Sequence, residues 1–424
     1  MRILITCMLL TIVYCSPVQA QDGTYIDLKS CYRWSEATFN LQGQKEWITA
    51  ATEEAIDKVN ASWQPKLSLN AQATYQSDVV GLPIESPLFN IPALDKDQYR
   101  ATLDIQQLLY DGGAMRQQKT LQQLQSGLQA AQTDVSFYSM YRQIDQLYCA
   151  VLLARNNQLL ILSSLKDLEA RKQQLETAFQ NGAATQNALH QLEAEMLKVE
   201  QMLQDARYAE QGAIDALAVL TGKPLTTTVQ LLIPEVELPA STDNLRPETA
   251  LFERQLALTE AQREFASSLN LPTISLFGQG GYGRPGLNLL LNDFEAFYIG
   301  GIRLSYVLWS GGGKTHEAAV YQIQQKQLRQ QQENFLLSTR SQASRQLSEI
   351  RQLEAAIAQD AAIIDLRNQI LTTSALTLEN GTGTAADYTR DSNAALQAKL
   401  TRELHTIQLM LAQLDYLSTI GKTK

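Results

Sequence analysis

The chain has 424 residues, 45% of them hydrophobic and 19% charged, with a formal net charge of −9. That length suffices for a large core or for two domains, and the negative balance argues against nucleic acid as a partner. Four cysteines without a Cys-x-x-Cys pair encode no disulfide framework.

Residues 1–20 have the pattern of a secretory signal: Arg2 at a positive start, an apolar run from Ile3 to Tyr14, and Val18-Gln19-Ala20 at a small-residue cleavage site. The run is too short to span a bilayer. Bulky Tyr14 before Cys15 suits a lipoprotein cleavage site badly. Cys31 and Cys149 then remain in the exported chain, where they read as two small apolar-like side chains. No later stretch has the apolar length of a transmembrane helix.

Residues 21–38, with Tyr25-Ile26-Asp27-Leu28 and Cys31-Tyr32-Arg33-Trp34, form an ordered lead-in to a helix expected over 39–63 and stopped at Pro65. The period then changes to two. Leu67, Leu69, Ala71, Ala73 and Tyr75 alternate with polar residues, and so do Tyr99, Ala101, Leu103 and Ile105. These spacings predict strands near 66–76 and 98–109, each with one apolar and one polar face. A helical hairpin is expected over 112–221, completing a first repeat at 21–222.

Residues 223–245 read as a linker with a small strand around Thr228–Ile233. A second repeat follows at 246–424. Arg246-Pro247-Glu248 opens a helix that Pro272 stops, because proline fits the first helical turn and breaks the interior. Strands are expected near 272–283 and 296–308, with a Gly-rich connection from Gly280 to Asp293, then a hairpin over 313–421.

The repeat is marked by matched glycine spacings. Gly112 to Gly182 is 70 residues and Gly312 to Gly381 is 69, while Gly182–Gly222 and Gly381–Gly421 are both 40. No proline occurs over 93–223 or 286–424, and apolar seams repeat every seven residues. Leu147, Ala154, Ile161, Leu168 and Leu175 form one; Ile350, Ile357, Ile364, Leu371 and Leu378 form another. Leu192, Val199, Ala206, Ala213 and Leu220, and Leu400, Ile407 and Leu414, run along the return helices. A seven-residue repeat means coiled-coil packing. Asn181-Gly182 and Asn380-Gly381 are the expected hairpin tips, since glycine supplies a left-handed helix end.

Chemistry-bearing motifs fail on context. Gly278-x-Gly280-x-x-Gly283 spells a dinucleotide fingerprint, but Arg284-Pro285-Gly286 follows where a helix must open. Gly313-Lys314-Thr315 lacks the first glycine of a P-loop, that place being Leu308. His190, His316 and His405 are dispersed over helix faces without metal-ligand spacing. No nucleophile–base constellation is legible, so neither an enzyme nor a cofactor is expected.

Four strands of this length can cross a bilayer, but four cannot close a barrel, and open edges in lipid cost several kcal/mol per unpaired group. Several chains must then share one barrel, with cyclic symmetry as the usual solution.

At this point the chain resembles the TolC-like outer-membrane efflux proteins over essentially its whole mature length. The resemblance rests on the two-copy plan and on the strand-to-helix junctions Tyr110-Asp111-Gly112-Gly113 and Trp309-Ser310-Gly311-Gly312-Gly313. It rests also on the tips Phe179-x-x-Gly182 and Leu378-x-x-Gly381 and the closing Leu-Thr-Gly at 220–222. It implies a mixed, mainly α fold: a homotrimer sharing a twelve-stranded β-barrel in outer-membrane lipid and an α-helical coiled-coil tunnel in the periplasm. The tips dock onto a periplasmic adaptor and an inner-membrane pump, and the chain is the passive exit duct. A periplasmic adaptor or coiled-coil scaffold without a pore is the alternative. The resemblance also implies a charged constriction at Asp387, six residues after the second tip glycine. Arg390 stands where a second Asp is usual, with Asp391 next, and Ala188 stands where the first tip can carry a gate-bonding Asp.

Overall fold

The computed structural model describes residues 25–80, 94–239 and 245–423. The expected signal at 1–20 and the loop prolines Pro83, Pro87 and Pro92 lie outside them. The elements run β1 (Tyr25–Ile26), α1 (Leu28–Thr38), α2 (Leu41–Ala61), β2 (Lys66–Tyr75), β3 (Asp97–Tyr110), α3 (Ala114–Gln180) and α4 (Gln186–Thr221). They continue with β4 (Gln230–Leu231), α5 (Pro247–Ser268), β5 (Thr273–Arg284), β6 (Glu295–Ser305), α6 (Gly313–Glu379) and α7 (Ala385–Ile420). No helix among the described residues is long and apolar enough to cross a membrane.

Two compact units result, and they do not coincide with the halves of the sequence. Among the described residues, one gathers those up to Ser35, Ile144–Glu237 and Leu353–Leu411; the other gathers those of Glu36–Gln143, of Leu238–Gln352 and from Ala412 on.

The first unit is helical, and its core is the heptad seams. Ile161, Leu168 and Leu175 of α3 pack with Leu192, Val199 and Leu203 of α4, and Ala375, Ala385, Tyr388 and Leu396 join from α6 and α7. Burying a leucine-sized side chain is worth about 1.5–3 kcal/mol, so these contacts outweigh any helix propensity in the same segments. The lead-in is a strap on this unit. β1 pairs in parallel with β4, matching Tyr25 with Gln230 and Ile26 with Leu231. The Tyr148 hydroxyl lies 2.8 Å from the Ile26 carbonyl and 2.6 Å from that of Leu232, bridging both strands. The Tyr32 hydroxyl donates to the fully buried Asp145. Cys31 and Cys149 are buried beside them and remain thiols. Burial pushes the Cys31 thiol up to about 12, which keeps it protonated and inert.

The second unit holds a four-stranded antiparallel sheet in the order β2-β3-β5-β6. Its hairpins are β2–β3 and β5–β6, and β3 joins β5 with a bulge between Leu108 and Tyr110. Two features differ from expectation. The lead-in is itself a helix, α1, and the helix expected over 39–63 starts only after Asn40, its N-cap, which sits at φ 49° and accepts from the Gly43 amide. Asparagine tolerates that left-handed geometry because its side chain bonds the local backbone. β5 runs through Gly280, Gly281 and Gly283, in line with the strand expected near 272–283, so the Gly-rich connection starts only after Arg284. β6 ends at Ser305, leaving Tyr306 to Trp309 outside the ladder.

At the first strand-to-helix junction, Gly112 and Gly113 have φ of 69° and 88°, a region costly for any residue with a Cβ. Asp111 caps α3 there, accepting from the Gly113 amide at 2.9 Å and from the Met115 amide at 2.6 Å. At the second junction Gly311 and Gly312 take the same conformation, whereas Gly313 is already the first residue of α6. A Cβ on Gly112 would stand 2.5 Å from the Leu271 Cβ, while Gly113 faces open space. Gly113→Ala should therefore cost only the left-handed penalty of about 1–2 kcal/mol, and Gly112→Ala distinctly more. Thermal unfolding of both variants checks this; equal losses would show that the Leu271 contact is irrelevant.

Candidate functional site

The sheet has two faces of opposite chemistry. Along one, Leu69, Leu103, Gly280 and Tyr298 form a row across the four strands; Leu67, Ile105, Gly278 and Gly300 form the next. Leu69 is 76% exposed and Tyr298 87%, and Ile302 and Leu304 are exposed on the same face. Apolar residues in continuous rows on an exposed sheet face mark a surface that meets something apolar. The opposite face presents Ser68, Asn70, Gln72, Arg100, Thr102 and Asp104. Aromatics sit at both ends of the apolar face. Tyr99 and Tyr282 each stack on Phe294 at one end, with centroids 6.2 and 5.7 Å apart, and Tyr110, Tyr306 and Trp309 are exposed at the other. Two aromatic girdles flanking an apolar band fit a transmembrane β-barrel wall.

The hairpin tips are in the other unit. Both helices that reach them end in the same motif. The Gly182 amide bonds Phe179 at 2.9 Å and the Ala183 amide bonds Ala178 at 2.8 Å; Gly381 and Thr382 repeat this with Leu378 and Thr377. Gly182 and Gly381 have φ of 71° and 73°, as this cap requires. Asn181 and Asn380 close the last turns through their amides.

The return helices start differently. Thr185 accepts from the Ala188 amide and caps α4. Thr384 accepts from the Asp387 amide at 3.1 Å and donates to the Asp387 carboxylate at 2.6 Å. Asp387 thus has a structural task as the acidic member of a capping pair. It is exposed, and Arg390 pairs with it at 3.1 Å. The hydrogen bond from Thr384, helped by Arg390, holds its carboxyl below the usual range.

Asp391 is placed otherwise. It is buried, takes a hydrogen bond from Ser374 of α6, and pairs with Arg390 at 3.1 Å. Burial pushes its carboxyl upward, but the bonds from Ser374 and Arg390 outweigh that and hold it low. Of the two acidic candidates, only Asp387 offers a carboxylate to solvent. Asp391 ties α7 to α6.

A third group at the tips carried no signal in the sequence. Arg171 of α3 lies 3.8 Å from Glu379 of α6, and its guanidinium stands over the Tyr388 ring of α7 at 5.7 Å. One arginine therefore joins the first hairpin to both helices of the second. A cavity of about 290 Å³ beside it is lined by Arg171, Leu175, Ala178 and Leu378. His405 also departs from the expected solvated face: its ring nitrogen lies 2.6 Å from Asp360, which is buried.

Residues 43–223 match the family model described as outer membrane efflux protein. The fold of the whole chain is that of solved outer-membrane channels. The Vibrio cholerae outer membrane protein VceC is 17% identical over 92% of this chain and 96% of its own, with a TM-score of 0.67. The Campylobacter jejuni CmeC outer membrane channel is 13% identical, covering 93% and 86%, at 0.68. The open state of the Neisseria gonorrhoeae MtrE channel is 17% identical, covering 94% and 89%, at 0.65. No curated protein sequence matches the chain. The mixed, mainly α architecture thus agrees with the sequence reading.

The tip carboxylates set a pH dependence. Both have folded values below the ordinary aspartate value of about 4, so their stabilisation is complete above that value and is lost as pH falls through the folded ones. Asp391→Asn should lower the unfolding temperature at neutral pH and flatten its decline on acidification. Thermal scans across pH would test this, and parallel wild-type and variant curves would refute it.

Proposed function

We propose that this chain is the outer-membrane exit duct of a tripartite efflux pump or type I secretion system. It conducts passively what an inner-membrane transporter and a periplasmic adaptor deliver. The observation that carries this reading is the four-stranded sheet, apolar on one exposed face and open at β2 and β6. Three copies would close it into twelve strands and satisfy both edges, and the paired helices would continue as a tunnel. The tips Asn181-Gly182 and Asn380-Gly381 are the docking points for the adaptor, and the glycine junctions mark where barrel meets tunnel. No cofactor is required.

The closed state is held by two sets of contacts in this reading. Arg171 with Glu379 and Tyr388 latches the hairpins together. Asp387, repeated around the axis, narrows the entrance with negative charge. The capping role of Asp387 makes Asp387→Ala ambiguous, whereas Asp387→Asn keeps a hydrogen-bond acceptor and removes only the charge. In planar bilayers Asp387→Asn should weaken cation block and cation preference, and Arg171→Ala should raise conductance several-fold. An Asp387→Asn channel indistinguishable from wild type would remove the charged entrance from the reading.

The competing class is a periplasmic adaptor or coiled-coil scaffold without a pore. Four amphipathic strands with two aromatic girdles disfavour it. Heat-modifiable trimers in the outer-membrane fraction are expected; a monomer free in the periplasm would favour the scaffold.

A further inference from the structure

The polar face of the sheet contains two side-chain assemblies built alike. Phe297 of β6 stands directly opposite Gly281 of β5, and Phe277 of β5 directly opposite Gly301 of β6. Each ring covers the glycine facing it. A Cβ on Gly281 would come within 2.4 Å of the Phe297 ring, and one on Gly301 within 3.3 Å of the Phe277 ring. The glycines leave room for the rings to lie along the wall. Each ring then carries a guanidinium: Arg100 over Phe297 at 5.4 Å and Arg303 over Phe277 at 4.8 Å. Both lie within cation–π range.

These arginines are fixed to the wall without being neutralised. Among the described residues neither has a carboxylate within ion-pair distance. The other charges on this face are Lys66, Asp104 and Glu295. Asp104 is held by neutral donors alone: Asn70 at 2.7 Å, Gln279 at 2.5 Å and Thr102 at 3.0 Å. Glu295 lies in the row of Arg100 but two strands away, opposite Gly283. Lys66 and Arg303 both lie at the end nearest the glycine junctions; Asp104 is the diagonal neighbour of Lys66, and Arg303 has no carboxylate of this face beside it. The wall therefore carries a net positive charge, held at two levels.

We infer that Arg100 and Arg303 are specificity-determining residues that make the barrel lumen prefer anions. This rests on the duct reading, in which the polar face lines the pore. Repeated around the axis, each arginine becomes a ring, and rings of arginine or lysine favour anions. Phe277 and Phe297 act as positioning residues, holding each guanidinium on the wall so that cargo passes it without displacing it. The sign is opposite to that of Asp387 at the tips. The favoured cargo is an organic anion, or one whose anionic part must pass the barrel.

The test is the reversal potential of the full-length channel in planar bilayers under a potassium chloride gradient, measured in the Asp387→Asn background to remove the tip charge. Wild-type barrel residues should give a reversal potential on the chloride side. Arg100→Gln with Arg303→Gln should lose that preference several-fold, while Arg100→Lys with Arg303→Lys should keep it. Phe277→Ala with Phe297→Ala should reduce it with both arginines intact. A reversal potential unchanged in the glutamine double variant would overturn the assignment while leaving the channel standing. Complete absence of conductance in the unsubstituted chain would instead overturn the duct reading. Should the glutamine variants not assemble, the native barrel gives the answer through salt. Raising potassium chloride from about 0.1 M to about 1 M shortens the screening length from roughly 10 to 3 Å and should abolish the anion preference. A preference that survives 1 M salt on the order of unchanged would count against fixed wall charge as its source.

Discussion

Every backbone N–H and C=O on the outer edges of β2 and β6 must find a partner, and in lipid water cannot be that partner. A single copy of this sheet has no means of meeting the requirement. The order β2-β3-β5-β6 uses the inner edges of both hairpins against each other and leaves one edge free on each side. Most of the other features follow from this. The apolar rows from Leu67 to Leu304 call for an apolar surrounding and the polar rows for water, and in the duct reading a closed ring of strands separates the two. The exposed face of Leu69 and Tyr298 has the chemistry of a surface meant to be covered.

The tips follow from a second constraint, that a helix must satisfy its own ends. Glycine in the left-handed region closes α3 and α6 in the same way, so the two hairpins turn alike. Their return helices open with different caps. Ala188 gives α4 no carboxylate, while Asp387 gives α7 both a cap and an exposed charge. An acidic residue placed for helix capping is thereby available for a second use. Arg390 serves it and Asp391 together, so the charge at the second tip is coupled to the packing of α7 on α6.

Much of this was legible in the sequence because periodicity is local. The alternation in Leu67–Tyr75 and Tyr99–Ile105, and the seams at Ile161, Leu168 and Leu175, need no knowledge of partners. The glycine tips were legible for the same reason. What stayed hidden depends on residues far apart. Arg171 is one of many charged residues on a long helix, and nothing near it announces Glu379 or Tyr388, some two hundred residues later. The glycines of β5 read both as the end of a strand and as the start of a Gly-rich connection, because glycine usually weakens strands. At Gly281 and Gly283 the rings and backbone of Phe297, Tyr99 and Arg100 crowd the space a side chain would need, whereas Gly280 faces open space. The start of α2 was legible to within two residues, whereas the helical form of the short lead-in, α1, was not.

The pairing of β1 with β4 bears on the order in which the molecule is made. Tyr25-Ile26 comes early in the sequence, yet its partner Gln230-Leu231 follows only after the entire first hairpin. The strap cannot dock until more than half of the chain is available, a closure of high sequence separation and correspondingly slow. Until then the surfaces that bury Tyr32, Cys31 and Tyr148 are uncovered. The thiols of Cys31 and Cys149 are therefore most open to reaction before the fold that later conceals them exists.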